Sequence, residues 1–163
     1  MENYTLTTGN TESRRTGLIV LIIAVGVLIL FAMGYGLYGC FTAVTSAQAQ
    51  SRQLVKTLHS EMNQQAWDEI YTTASKGYQA SLSQKKSDLF FSSIARKLGT
   101  PGSATLQYTN ISTTTNGDFI RSVFQTKFSK AGNARETIVW REGDDGQYRL
   151  YDYNINSAAL LTQ

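Results

Sequence analysis

The chain carries a single histidine, His59, and a single cysteine, Cys40. A structural zinc site takes about four such ligands, so these two cannot build one, and one cysteine cannot make an internal disulfide. No Gly-x-Ser-x-Gly elbow occurs, and no local pattern joins a serine to His59 and an acid. Nucleophilic acyl transfer therefore leaves no signature. Glu142, Asp144 and Asp145 form a small acidic cluster that could attract Ca²⁺, but the EF-hand spacing is missing and the cluster reads as a polar turn. Asn3-Tyr4-Thr5 and Asn110-Ile111-Ser112 match the glycosylation sequon, which matters only in a eukaryotic secreted chain. His59 follows Leu58 at the edge of an apolar helical stripe and reads as a surface helix residue. These groups predict no catalytic residue, no metal and no cofactor.

Charge divides the chain sharply. Thr16 to Ser51 holds no charged residue, and every Lys, Arg, Asp and Glu lies outside that stretch. From Arg52 onward there are 13 Lys/Arg and 10 Asp/Glu, a balance of +3. The signs are interleaved, as at Lys85-Lys86-Ser87-Asp88 and Arg135-Glu136. Without a basic stripe the surface reads as mixed and solvated, and nucleic acid is not an expected partner. A length of 163 residues suits one domain and an anchor.

The run from Gly17 to Phe41 is apolar throughout. As a helix it spans about 37 Å, against a hydrocarbon core about 30 Å thick. Every backbone amide in that core must be bonded within the segment, which enforces a helix. A buried helix of a soluble protein would need a core on all sides, and the remaining chain is too short for that. The expectation is a transmembrane helix over 16–41, behind a polar tail over 1–15. Arg14 and Arg15 abut its N-terminal end, and the first positive charges beyond it are Arg52 and Lys56. This bias places the N-terminus in the cytoplasm and the domain outside, in a single-pass inner-membrane protein with a periplasmic domain. The apolar run is too long for a cleaved signal peptide, and Ala47-Gln48-Ala49 is a weak cleavage site. Leu37-Tyr38-Gly39-Cys40 is similar to a bacterial lipobox, but Tyr38 fits it poorly and the leader is overlong. Cys40 thus reads as a free interfacial thiol rather than a lipidation site. Ala32 and Gly36 are a small-xxx-small pair, followed by Gly39, and would let a partner helix approach closely.

The domain is expected over 47–163. Leu54, Val55, Leu58 and Met62 lie on one helical face, and Ala66, Trp67, Ile70, Tyr71 and Ala74 continue it after a break near Asn63. Ser75-Lys76-Gly77 reads as a stop. A further helix is expected over 87–98, with Arg96 and Lys97 in its last turn, then Gly99 and Pro101. Beyond Pro101 the period becomes two and predicts strands at about 104–114, 118–130, 134–142 and 147–156. Asn116-Gly117 is a hairpin signal, and all connections are short, so the sheet should be an antiparallel meander. Ile120, Ser122, Phe124, Thr126 and Phe128 share one face of the second strand. On the third, Ile138 and Trp140 oppose Thr137, Val139 and Arg141. On the fourth, Tyr148 and Leu150 oppose Tyr151, Tyr153 and Ile155.

Helices followed by such a sheet resemble the NTF2-like, cystatin-like α+β folds, with about three helices on a curved four-stranded antiparallel sheet. Val123-Phe124-Gln125-Thr126-Lys127-Phe128, Glu136-Thr137 and Asp145-Gly146-Gln147-Tyr148-Arg149-Leu150, continuing to Ile155, sharpen this. They resemble the bacterial extracytoplasmic family called domain of unknown function 4019, over about residues 50–156. The anchor is also similar to that of NTF2-like assembly subunits of bacterial secretion systems, without a motif match. The resemblance implies a cup. Enzymes of that shape pair an Asp or His with a tyrosine in the pocket, and the candidates are Asp152, Tyr148, Tyr151, Tyr153 and His59. Three roles follow as expectations. The first is a non-enzymatic accessory or assembly subunit, tethered to the lipid bilayer and docked on other membrane subunits of a secretion, respiratory or photosynthetic complex. The second is a module holding a small hydrophobic ligand in a cup lined by Phe124, Phe128, Trp140 and Tyr148. The third is a cup-type isomerase or dehydratase that needs Asp152 turned inward.

Overall fold

A computed structural model of the chain describes residues 45–161. The tail, the apolar run, the Ala32, Gly36 and Gly39 face and Cys40 lie outside the described residues. Among those described, no helix is long and apolar enough to cross a membrane.

The fold is α+β. The first helix, α1, covers 45–64, followed by α2 (Trp67–Thr73), α3 (Lys76–Ser81) and α4 (Gln84–Leu98). Four strands come next: β1 (Pro101–Thr114), β2 (Gly117–Phe128), β3 (Gly132–Glu142) and β4 (Tyr148–Asn156). A short α5 (Ala158–Leu161) ends the described chain. The strands form one antiparallel meander in the order β1-β2-β3-β4, as the short connections predict.

One face of the sheet is covered by helices. Val55, Leu58 and Met62 of α1 and Phe91, Ile94 and Leu98 of α4 are buried there with Ile120, Phe124, Phe128, Ile138 and Trp140. The period-two reading of β2 and β3 therefore holds: both stripes point to the core.

The structure differs from several local expectations. The chain has five helices among the described residues where about three were expected. Ser75-Lys76-Gly77 follows the end of α2 at Thr73, as a stop should, but it also opens a further helix, because the Ser75 hydroxyl accepts from the Tyr78 backbone N–H as an N-cap. The long helix begins at Gln84, three residues before Ser87, whose side chain is wholly buried. The hairpin turn sits one residue earlier than Asn116-Gly117: Thr114 pairs with Gly117, and among these residues only Gly117 has positive φ, at 113°.

The fourth strand departs most. Its register against β3 slips between Val139, which pairs with Asp152, and Trp140, which pairs with Leu150. Tyr151 is the extra residue, a β-bulge that reverses the face of everything after it. Leu150 and Tyr153 are both buried, and Tyr151 and Asp152 are both exposed. The simple alternation assigned Tyr148 and Leu150 to the face opposite Tyr153, and the bulge overturns it.

Gly99 ends α4 at φ 85°, where an added Cβ would lie 2.2 Å from Ser129 Oγ and 2.9 Å from the Lys130 backbone nitrogen. The β2–β3 turn folds over this helix end, with the Lys130 and Ala131 amides donating to the Leu98 carbonyl at 2.9 and 3.2 Å.

Candidate functional site

The sheet's inner face contains a carboxylate with no solvent exposure, Glu136. Alternation along β3 puts it on the same face as Ala134, Ile138 and Trp140. Its neighbours in the pairing are Phe124 on β2 and Ile155 on β4. An unpaired charge in that setting would cost several kcal/mol. Four side chains meet instead. Thr126, two positions along β2, donates its hydroxyl to Oε2. Tyr153 on β4 donates to Oε1. His59 on α1 places Nε2 at 3.1 Å from Oε1 and 3.0 Å from Oε2, so its N–H bridges both oxygens.

Each member owes its place to a local feature. Thr126 is in phase with Phe124 and Phe128. Tyr153 is inward only because of the bulge at Tyr151. His59 lies one turn beyond Val55 on α1 and is 6% exposed. Burial first, then the Glu136 charge and hydrogen bond, push the Tyr153 hydroxyl well above the ordinary tyrosine value. Both causes disfavour a second negative charge beside the carboxylate. The ring of Tyr153 packs on Phe91 and Phe90 at 5.3 and 5.9 Å between centroids. A second polar tie, Ser122 Oγ to Ser51 Oγ at 2.7 Å, also joins β2 to α1. The cluster can fix a charge in the core and fasten α1 to three strands.

His59 was expected on the surface, and the structure corrects this: it is buried because Glu136 faces it. Glu136 itself was missed. The signal was present, since its parity matches Ile138 and Trp140. Among the acid–base candidates, His59 and Tyr153 come together, while Asp152 and Tyr151 face away and Tyr148 is half-buried. The four cup residues separate as well. Phe124 and Phe128 are sealed in the core. Trp140 and Tyr148 line a cavity of about 250 Å³ with Leu54, Leu58, Glu61 and Ile70. Burial, then the nearby Glu69 charge, raise the Glu61 carboxyl. Burial and Glu142 push the Tyr148 hydroxyl up to about 12. The buried indole nitrogen of Trp140 has no hydrogen-bond partner among the described residues. Those residues hold no cluster of three or more metal-ligating side chains.

A cleft of about 650 Å³ opens on the other flank of α1, between that helix and the start of β1, and His59 lines it. A helix-covered meander with a buried Glu-His-Tyr-Thr cluster is thus the class of domain. The chain belongs to the family described as Protein of unknown function (DUF4019), whose model matches residues 51–153. The matched segment contains Ser51, His59, Thr126, Glu136 and Tyr153. No curated protein matches the chain.

Proposed function

We propose that this protein is a membrane-anchored, non-enzymatic accessory subunit with an NTF2-like extracytoplasmic domain. In this reading residues 16–41 hold the domain at the bilayer, and an extended, uncharged segment of a partner membrane subunit pairs with the outer edge of β1. The observation that carries it is the state of that edge. Pro101–Thr114 has no charged side chain. Among the described residues, the backbone from Ser103 to Thr114 bonds to no backbone other than that of β2 and its turn. Tyr108 and Ile111 are 54% and 37% exposed. Edges of this length are ordinarily blunted by charges or bulges or covered, because unpaired amides and carbonyls recruit another strand, and the register shifts of β1 all precede Tyr108, so Tyr108 to Thr114 pairs regularly. Recognition by an added strand uses that tendency. By contrast, β4 has one edge carbonyl already taken: Leu150 accepts from the Ser75 amide at 2.9 Å.

The test is copurification of the intact chain in mild detergent, with a photo-cross-linker at position 110. A cross-link to a strand of another membrane subunit is expected, and Tyr108→Lys with Ile111→Lys should abolish it without moving the thermal midpoint. A cross-link to a second copy, or a partnerless monomer, overturns the reading.

The cavity beside Trp140 and Tyr148 favours a second reading, a small-ligand module. A pocket of this size suits a small molecule with an acceptor group rather than a long lipid tail. Ligands that enter should raise the thermal midpoint by mass action, and uniformly absent shifts across a set of hydrophobic and lipid ligands would remove this reading.

A further inference from the structure

The cleft between α1 and the first residues of β1 differs in chemistry from the cavity beside Trp140. Its helix wall presents Arg52, Lys56, His59 and Asn63, which recur every three or four residues along one face of α1. The opposite wall is the chain from Pro101 to Ala104. Asn63 Nδ2 donates to the Pro101 carbonyl at 3.2 Å and closes one end. No acidic side chain lines the cleft. Arg52 and Lys56 are exposed, and neither forms an ion pair among the described residues.

The second observation is the histidine itself. His59 is 94% out of solvent, yet it lines the cleft. Its Nε2 is committed to Glu136, which leaves Nδ1 as the ring nitrogen that a ligand in the cleft could use. A histidine whose Nε2–H is held by a carboxylate can receive a second proton on Nδ1, after which both nitrogens donate. A ring protonated in this way would have its charge balanced by the buried carboxylate and would offer a donor among the residues that line the cleft.

We propose that this cleft is an oxyanion site, taking a phosphate or carboxylate group between Arg52, Lys56 and the Nδ1 edge of His59. An arginine and a lysine supply charge, and a histidine fixed from behind supplies a directed donor. The proposal is independent of strand pairing at β1. The same chemistry could be offered by a free anion or by an anionic lipid headgroup.

His59 is the chain's single histidine, so its imidazole Hε1 signal needs no residue assignment. The experiment follows that signal by NMR in the full chain, held in a neutral detergent. One arm titrates inorganic phosphate, another a short-chain phosphatidylglycerol, and a third chloride at matched ionic strength. A saturable shift is expected with phosphate or with the lipid, not with chloride, and the arm that saturates identifies the source. Arg52→Gln with Lys56→Gln removes exposed charges and should weaken binding tenfold or more, because both charged donors to the anion are lost. The thermal midpoint should stay fixed. Equal response to chloride, absence of saturation in every arm, or unchanged affinity in the double variant overturns the proposal.

Discussion

At the scale of single residues, the physics centres on Glu136. A carboxylate sealed in a core persists only with partners, and here Thr126, Tyr153 and His59 supply them. Tyr153→Phe removes one donor and should cost about 1–3 kcal/mol near neutral pH, measured by denaturant unfolding. The same variant changes the alkaline limb. Tyr153 titrates above its ordinary value in the fold, so its contribution is complete below pH 10 and is lost as pH rises toward the folded value. Over that range the unfolded chain releases a proton that the native state keeps, and stability falls by about 1.4 kcal/mol per pH unit. The wild-type protein should show that slope, and the phenylalanine variant should lack one proton of it. If the two profiles run parallel, the hydroxyl is not held as described. Little of this cluster was legible in the sequence. A charged residue in a strand reads as outward unless its parity is weighed against its neighbours, and His59 pairs with a residue 77 positions away. No local pattern encodes that distance.

At the scale of elements, the sequence was most readable where one local rule decides. Gly99 after Arg96 and Lys97 marks the end of α4, and the structure places it at positive φ under the β2–β3 turn. Gly99→Ala must both strain the backbone and push against the Lys130 amide, which cannot retreat as a flexible side chain would. A loss of more than about 1 kcal/mol is expected from thermal or denaturant unfolding. A neutral result would show that the turn gives way. The strands of the meander were likewise legible from their period and short loops. What escaped was the bulge at Tyr151, because Tyr148-Arg149-Leu150-Tyr151-Asp152-Tyr153 offers two equally apolar phases. Pairing against β3 selects between them, and that choice depends on the tertiary structure. It sends Asp152 outward and Tyr153 inward, and so removes the acid on which the cup-type enzyme reading relied.

At the scale of the molecule, the proposed anchor and the described domain make separate demands. An apolar run of 25 residues from Gly17 to Phe41 favours lipid over water, so the intact chain should stay with the membrane fraction after an alkaline carbonate wash. Release into the supernatant would remove the proposed tether. The domain's architecture has a consequence for the order in which the protein is made. Helix α1 leaves the ribosome early, but the carboxylate that engages its histidine is polymerised 77 residues later. At 5–20 residues per second that interval is about 4–15 s. Throughout it, Val55, Leu58 and Met62 have no sheet to cover them, and the newborn helix is an uncovered amphipathic segment. Chaperones and lipid headgroups can compete for it until translation has passed Glu136.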